Sequence, residues 1–308
     1  MIYLMYCSPW SVGGSTTFTV HLKKVLGNDA RIIKLGKRTE SHKRPLGDYG
    51  VKYHIMSAED IKRLDGPILL TASHPKIDCY LPGMYCVFHD PNEFRIYPHW
   101  KSADKTRVIC IRKTGLTYFP KATFIPHPYV RSFENIDHVR KHHAVSTARF
   151  SAVKNSDMIL EANTQLPTSK QVKCLGEPNR MWIHYTILKR FPDFKTHTSF
   201  PKVFNQGAVE CSRAHWNVDL SIFKGDGGGT QYTLLEAMDA GCVPIMHEEW
   251  TNWEGPAIDF GPSVANVKGL ATVLKSTPSK EQIQRNWSYL GIAHNPKRIA
   301  NEYIKVLR

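Results

Sequence analysis

Short apolar segments that alternate with helix-period segments predict an α/β chain of two Rossmann-like domains with a cleft between them. Three observations carry this. A strand–turn–helix pattern opens each half, over residues 2–26 and again over 144–162. A glycine-rich turn runs into a helix near residue 230, and Pro126 and Pro128 mark an extended connector between the halves. With 308 residues, 42% hydrophobic and 22% charged, the chain has the makings of two buried cores, and its composition excludes disordered, collagen-like and low-complexity classes.

The elements follow in order. Ile2–Cys7 reads as the first strand, Ser8–Ser15 as a glycine-containing turn, and Thr17–Leu26 as a helix with Phe18, Leu22, Val25 and Leu26 on one face. Strands are expected at Arg31–Leu35, Val51–Ile55, Pro67–Thr71, Met84–Phe88 and Arg107–Ile111. A helix at Ala58–Leu64 is capped by Ser57. The second half repeats the alternation: strand Ala144–Thr147, helix Lys154–Ala162, strand Val172–Leu175, helices Met181–Phe191 and Val203–Arg213, strand Asp219–Phe223, helix Thr230–Ala240 and strand Val243–Met246. The expected domains are 1–135 and 136–285, with a C-terminal helix, 286–308, packing back on the first. Ligands of such sheets sit at the carboxyl ends of strands, which directs attention to the turns at 8–15 and 224–230.

Seven scattered cysteines without a C-x-x-C pair read as core thiols in a reducing, cytoplasmic setting. Cys79, Cys86 and His89 lack the second paired knuckle that a zinc site needs. The apolar start is too short for a signal peptide or a membrane span, so no membrane partner is expected, and the chain is read as a monomer. The 41 basic side chains exceed the 27 acidic ones by 14. Residues 1–130 hold 19 basic and 10 acidic side chains, an excess of nine, with Lys34, Lys37, Arg38, Lys43 and Arg44 facing Glu40 alone. Such a run is commonly a solvated face; concentrated in one domain it is also the footprint that a polyanion such as DNA requires. Tyr97, Trp100, Tyr118 and Tyr129 lie among Arg95, Lys101, Arg112 and Lys113, a mixture suited to stacking on a base, although scattered core aromatics are the commoner explanation.

The densest signal is Gly225-Asp226-Gly227-Gly228-Gly229-Thr230-Gln231 followed by Tyr232–Ala240, Gly241 and the apolar strand Val243–Met246. Glycines before a helix let amides of Gly228, Gly229, Thr230 and Gln231 approach a diphosphate, aided by the helix N-terminus. Glu236, on a helix side otherwise lined by Leu and Ala, can accept two hydrogen bonds from vicinal ribose hydroxyls.

This stretch, from Leu234-Leu235-Glu236-Ala237-Met238 through Gly241-Cys242-Val243-Pro244-Ile245, resembles the nucleotide-sugar signature of GT-B glycosyltransferases. The family's E-x7-E pattern would need an acid at 228, where this chain has Gly228. Ala148-Arg149-Phe150, Lys154-Asn155 and Leu160-Glu161-Ala162 resemble the first strand and helix of the family's donor domain; the resemblance implies that Arg149 and Lys154 neutralise the diphosphate. Gly13-Gly14-Ser15 is similar to the N-terminal glycine loop. Within the family, the likeness is greatest to the T-even bacteriophage DNA glucosyltransferases, through Gly13–Phe18, Cys86–Asp90 and the Glu236 helix.

That resemblance implies a UDP-sugar donor, with glucose as the sugar, a hydroxymethylated pyrimidine in phage double-stranded DNA as acceptor, and protection of that DNA from nucleases. It places the protein in the infected host's cytoplasm. Asp90, following a strand and preceding Pro91, becomes the candidate general base of an inverting transfer; with retention, Asp90 and His89 would position the acceptor. The Asp-Pro-Asn-Glu turn is also readable as a plain Asx-turn. No tightly bound cofactor or metal is expected, and any Mg²⁺ or Mn²⁺ would be held loosely through donor phosphates. The alternatives are a glycosyltransferase acting on surface polysaccharide or glycolipid, and a non-catalytic nucleic-acid-binding protein.

Overall fold

The computed structural model describes residues 1–9, 13–36, 44–46, 49–195, 199–201, 203–222, 230–250 and 260–308, with the side chains of Arg44 and Pro45 left out. The chain divides into two units, each described by itself. The first holds residues 1–130, a short piece around Phe204, and residues 293–308; the second holds most of the remainder.

The first unit is built on an eight-stranded sheet. Its strands are β1 (Ile2–Tyr6), β2 (Ala30–Leu35), β3 (Arg44–Pro45), β4 (Lys52–Met56), β5 (Ile68–Ala72), β6 (Tyr85–Phe88), β7 (Val108–Cys110) and β8 (Thr123–Phe124), in spatial order 3-4-2-1-5-6-7-8. All neighbours are parallel except the β3–β4 edge. β1 lies at the centre, with Leu4 opposite Ile32 on one side and Leu69 on the other, and Ile2, Leu4, Met5 and Tyr6 are all buried. That near-continuous apolar run is what a strand covered on both faces requires. Helices α1 (Gly14–Leu26), α2 (Ala58–Lys62) and α3 (Glu93–Ile96) follow β1, β4 and β6.

The second unit carries a five-stranded parallel sheet of β9 (His142–Ser146), β10 (Val172–Cys174), β11 (Ala214–Asp219), β12 (Val243–His247) and β13 (Ser263–Val264), ordered 10-9-11-12-13. Around it lie α4 (Ser156–Thr164), then α5 (Arg180–Trp182) and α6 (Leu188–Arg190) joined by a π-helical turn at Ile183–Ile187. α7 (Gln206–Cys211), α8 (Tyr232–Asp239), α9 (Val267–Val273) and α10 (Lys280–Ala293) complete the set. α11 (Pro296–Leu307) returns to the first unit, where Ile299, Tyr303 and Leu307 are buried and the helix packs on α1.

Several expected elements move. The strand placed at 219–223 is β11, ending at Asp219; polar His215 and Asn217 concealed it, yet Asn217 is fully buried because Thr147 and Thr233 satisfy its amide. The helix expected from Lys154 begins at Ser156, since Asn155 is left-handed at φ 45° and breaks the turn. The helix expected at 203–213 is confined to Gln206–Cys211, again behind a left-handed Asn205. One C-terminal helix becomes two, split where Asn295 caps the second and Pro296 opens it. The helix expected from Thr17 starts at Gly14, while Ser57 caps α2 by accepting from Asp60 N–H at 3.1 Å, as expected.

Two helix ends in the second unit share one cation. Arg140 donates from Nη1 to the carbonyls of Ser212 (2.7 Å) and Ala240 (3.1 Å), and from Nη2 to Gly241 (2.8 Å). These are the orphan carbonyls that end α7 and α8, and a guanidinium also complements both dipoles. Gly241 completes the stop at φ 62°, a left-handed position that glycine takes without strain. Arg140→Ala strips these bonds together and is expected to cost about 2–4 kcal/mol. Urea unfolding checks it; a loss below about 0.5 kcal/mol would show that water replaces the clamp.

Candidate active site

In the second sheet β9 has β10 on one side and β11 on the other, so the crossovers diverge between β9 and β11. Loops at the carboxyl ends of those two strands therefore part and leave room for a ligand. β11 delivers Asp219 to this point, 1% exposed. Its Oδ1 lies 3.6 Å from Lys154 Nζ and accepts from Ser221 N–H (3.1 Å) and from the Ser221 hydroxyl; its Oδ2 accepts from Thr233 Oγ1 at 2.5 Å. Burial alone would raise the carboxyl, but the Lys154 ammonium and the two hydroxyls outweigh it and hold Asp219 below its ordinary value. Lys154 also donates to the Ser221 hydroxyl and to Gln231 Oε1 (3.5 Å), the residue that precedes α8. One buried carboxylate thus joins the end of β11, the turn before α4 and the start of α8.

Glu236 lies in the middle of α8, facing α7. Its carboxyl packs so closely on Gly207 that a methyl group there would fall 2.0 Å from Oε2. Among the described residues it makes no side-chain hydrogen bond. Burial, with Asp239 adding to it, pushes the carboxyl up to about 8. A half-buried acid with unused acceptors fits the two vicinal hydroxyls of a ribose.

The first sheet has its own divergence, at β1 between β2 and β5. β1 leads to the glycine turn and α1, and β6, one strand beyond β5, leads to His89 and Asp90. His89 Nε2 lies 3.0 Å from the Thr71 carbonyl, and the ring stands edge-on to Phe18. Burial lowers it to about 4, so the ring is neutral at pH 7. A carbonyl only accepts, so the proton is on Nε2 and Nδ1 is left as an acceptor. Asp90 Oδ1 accepts from Asn92 N–H at 2.9 Å, the Asx-turn allowed by the sequence. Behind it Glu93, 7% exposed, accepts from His89 N–H at 3.3 Å, and burial followed by Asp90 raises it well above the carboxylate range. His21, His127 and His294 are buried nearby and likewise pushed down by desolvation.

The structure brings Lys154 and Gln231 together around Asp219, with Thr230 fully buried next in the chain. Arg149 follows β9 and is exposed. Gly13 and Gly14 are exposed at the start of α1, before half-buried Ser15. Arg95, Lys101 and Lys113 are exposed and Arg112 half-buried. Gly228, Gly229, Lys37, Arg38 and Lys43 lie outside the described residues, as does the side chain of Arg44. Among the described residues no group of three His, Cys, Asp or Glu side chains is arranged to hold a metal ion, and no helix is long and apolar enough to cross a membrane.

No protein-family model matches the chain, and no curated protein sequence does. Solved structures do. An alpha-glucosyltransferase in complex with UDP and a 13-mer DNA containing an HMU base is similar at TM-score 0.67, with 11% identity over 99% of this chain and 98% of that one. AviGT4, a glycosyltransferase involved in avilamycin A biosynthesis, is similar at TM-score 0.62 and 13% identity, covering 99% and 96%. Anabaena Alr3699/HepE, in complex with UDP and glucose, is similar at TM-score 0.65 and 10% identity, covering 99% and 98%.

The chain has the GT-B fold. Within it, the residues that reading the sequence missed are Asp219, Ser221, Thr233 and Glu93. A shifted strand hid the first two: with β11 ending at Asp219, the pattern of a strand closing on an acid and a hydroxyl would have been visible. Glu93 was read only as part of a turn.

The raised Glu236 has a consequence for this GT-B chain without ligand. A carboxyl whose folded value lies near 8 against an ordinary 4.5 contributes stability that is complete below about 4.5 and lost as pH rises through about 8. Unfolding measured at pH 5 and pH 8 is expected to show a smaller loss for Glu236→Gln than for the parent. Identical losses would mean that the carboxyl is solvated.

Proposed function

We propose that this chain is a UDP-sugar-dependent hexosyltransferase that moves glucose from UDP-glucose to the hydroxyl of a 5-hydroxymethylated pyrimidine in double-stranded DNA. The observation that carries the donor half is Glu236: a half-buried carboxyl with unused acceptors, in a fold whose similar structures hold UDP. Its oxygens take the ribose hydroxyls. Lys154, kept in place by Asp219, and Arg149 face the diphosphate, where the leaving group gathers negative charge, and the amides of residues 228–231 add donors. Gly13, Gly14 and Ser15 supply the amides of a helix N-terminus with no acid in its first turn.

The acceptor half rests on the similar alpha-glucosyltransferase with HMU-containing DNA and on the excess of nine cations in residues 1–130. UDP-glucose is α-linked, so an α product means retention of configuration. In that chemistry Asp90 and neutral His89 hold the incoming hydroxyl and polarise the transition state, while Glu93 fixes the turn beneath them by accepting from His89 N–H. The cations Lys37, Arg38, Lys43, Arg44, Arg95, Lys101, Arg112 and Lys113 supply phosphate contacts, whose strength falls with salt.

The test is incubation with radiolabelled UDP-glucose and duplexes containing hydroxymethylcytosine, hydroxymethyluracil or neither, alongside lipid and polysaccharide acceptors. Label is expected in hydroxymethylated DNA alone; label that enters only lipid or glycan overturns the acceptor. In the same assay Asp90→Ala is expected to keep UDP affinity within about twofold and to lose about 10²–10⁴ in transfer rate. Unchanged turnover would remove Asp90 from the reaction.

A further inference from the structure

We infer that Phe94 and Tyr118 form a stacking platform for an unpaired nucleobase, set beside Asp90. This deepens the DNA-acceptor reading above and rests on it for the identity of the strand. The two rings are 42% and 45% exposed, and their centroids lie 5.7 Å apart at 49°.

They do not stand alone. Phe88, Trp100 and Phe119, exposed by 2%, 4% and 6%, form a buried aromatic layer beneath them. Phe94 lies 5.2 Å from Phe88, 5.6 Å from Trp100 and 5.7 Å from Phe119; Tyr118 lies 5.8 Å from Phe88. Each pair is at an ordinary aromatic contact distance, so the outer rings are held by packing and lose little entropy when something covers them. An outward layer of π surface on a rigid aromatic base is a poor arrangement for solvent and a good one for another planar ring.

The surrounding charge selects the occupant. Arg95 adjoins Phe94, and Lys113 and Lys121 flank Tyr118 in sequence; all three are exposed, and among the described residues none forms an ion pair with a carboxylate. Glu93 is buried, which leaves Asp90 as the more accessible acid of this segment. Exposed cations that neighbour bare aromatic residues along the chain suit a strand that carries phosphates and bases together. The position suits the reaction too. Glu93 N–H bonds the Asp90 carbonyl at 3.1 Å and Phe94 N–H bonds that of Pro91 at 3.4 Å, so the platform stands within one helical turn of the candidate catalytic acid.

A short single-stranded oligonucleotide containing 2-aminopurine, titrated without any UDP-sugar, tests this. The parent chain is expected to bind and quench it. The double variant Phe94→Ala, Tyr118→Ala is expected to bind about 5- to 150-fold more weakly and to lose the quench, with UDP affinity unchanged. Phe94→Trp, which keeps a ring, is expected to retain both. A parent that does not bind the oligonucleotide, a double variant that binds it as well as the parent, or a tryptophan variant as weak as the double alanine overturns the platform. Sugar transfer is measured separately. Failure to glycosylate any DNA, together with oligonucleotide binding lost in the double variant, removes the acceptor reading and keeps the platform. Intact transfer with unaltered binding in the double variant does the reverse.

Discussion

A carboxylate at 1% exposure cannot stay ionised without compensation, and Asp219 is kept so by the Lys154 ammonium and the hydroxyls of Ser221 and Thr233. Each compensating group comes from a different stretch of chain: the turn before α4, the residues after β11, and the first turn of α8. The same electrostatic requirement therefore fixes three loops where the second sheet diverges. Were Asp219 an alanine, Lys154 would lose the one full charge that holds it over the strand ends and keep only the neutral acceptors of Ser221 and Gln231.

The carboxyl edges of the two sheets solve opposite electrostatic problems. At the second, a cation holds a buried carboxylate charged. At the first, burial raises Glu93 well above the carboxylate range against the pull of Arg112, and keeps His89, His21, His127 and His294 neutral.

Reading the sequence located most strands because parallel strands buried on both faces are apolar runs, as in β1 and β12. It failed where burial is achieved by hydrogen bonding instead. β11 carries His215, Asn217 and Asp219, which look exposed until Thr147, Thr233, Ser221 and Lys154 are seen around them. Local backbone chemistry explains the other misplacements: Asn155 and Asn205 adopt left-handed conformations that no periodicity announces. At the site, Glu236 and Lys154 were legible because they stand in recognisable strings of residues. Their partners Asp219 and Gly207 were not, since neither contact is local in sequence and the second is a matter of a missing methyl group.

Gly207 and Glu236 together show how much the state of one carboxyl is set by that missing group. A side chain at 207 would push the Glu236 carboxyl off α7 into solvent, where its affinity for a proton would fall to that of an ordinary acid. Glycine instead lets α7 approach, and the approach desolvates the carboxyl and raises it to about 8. An empty site near neutral pH is then largely protonated, with no uncompensated charge to destabilise the fold. Two ribose hydroxyls donating to the carboxylate favour the ionised form and draw its value down. If Glu236 takes the ribose as proposed, nucleotide binding releases a proton, and the ionised acid exists mainly when there is a ligand to hold it.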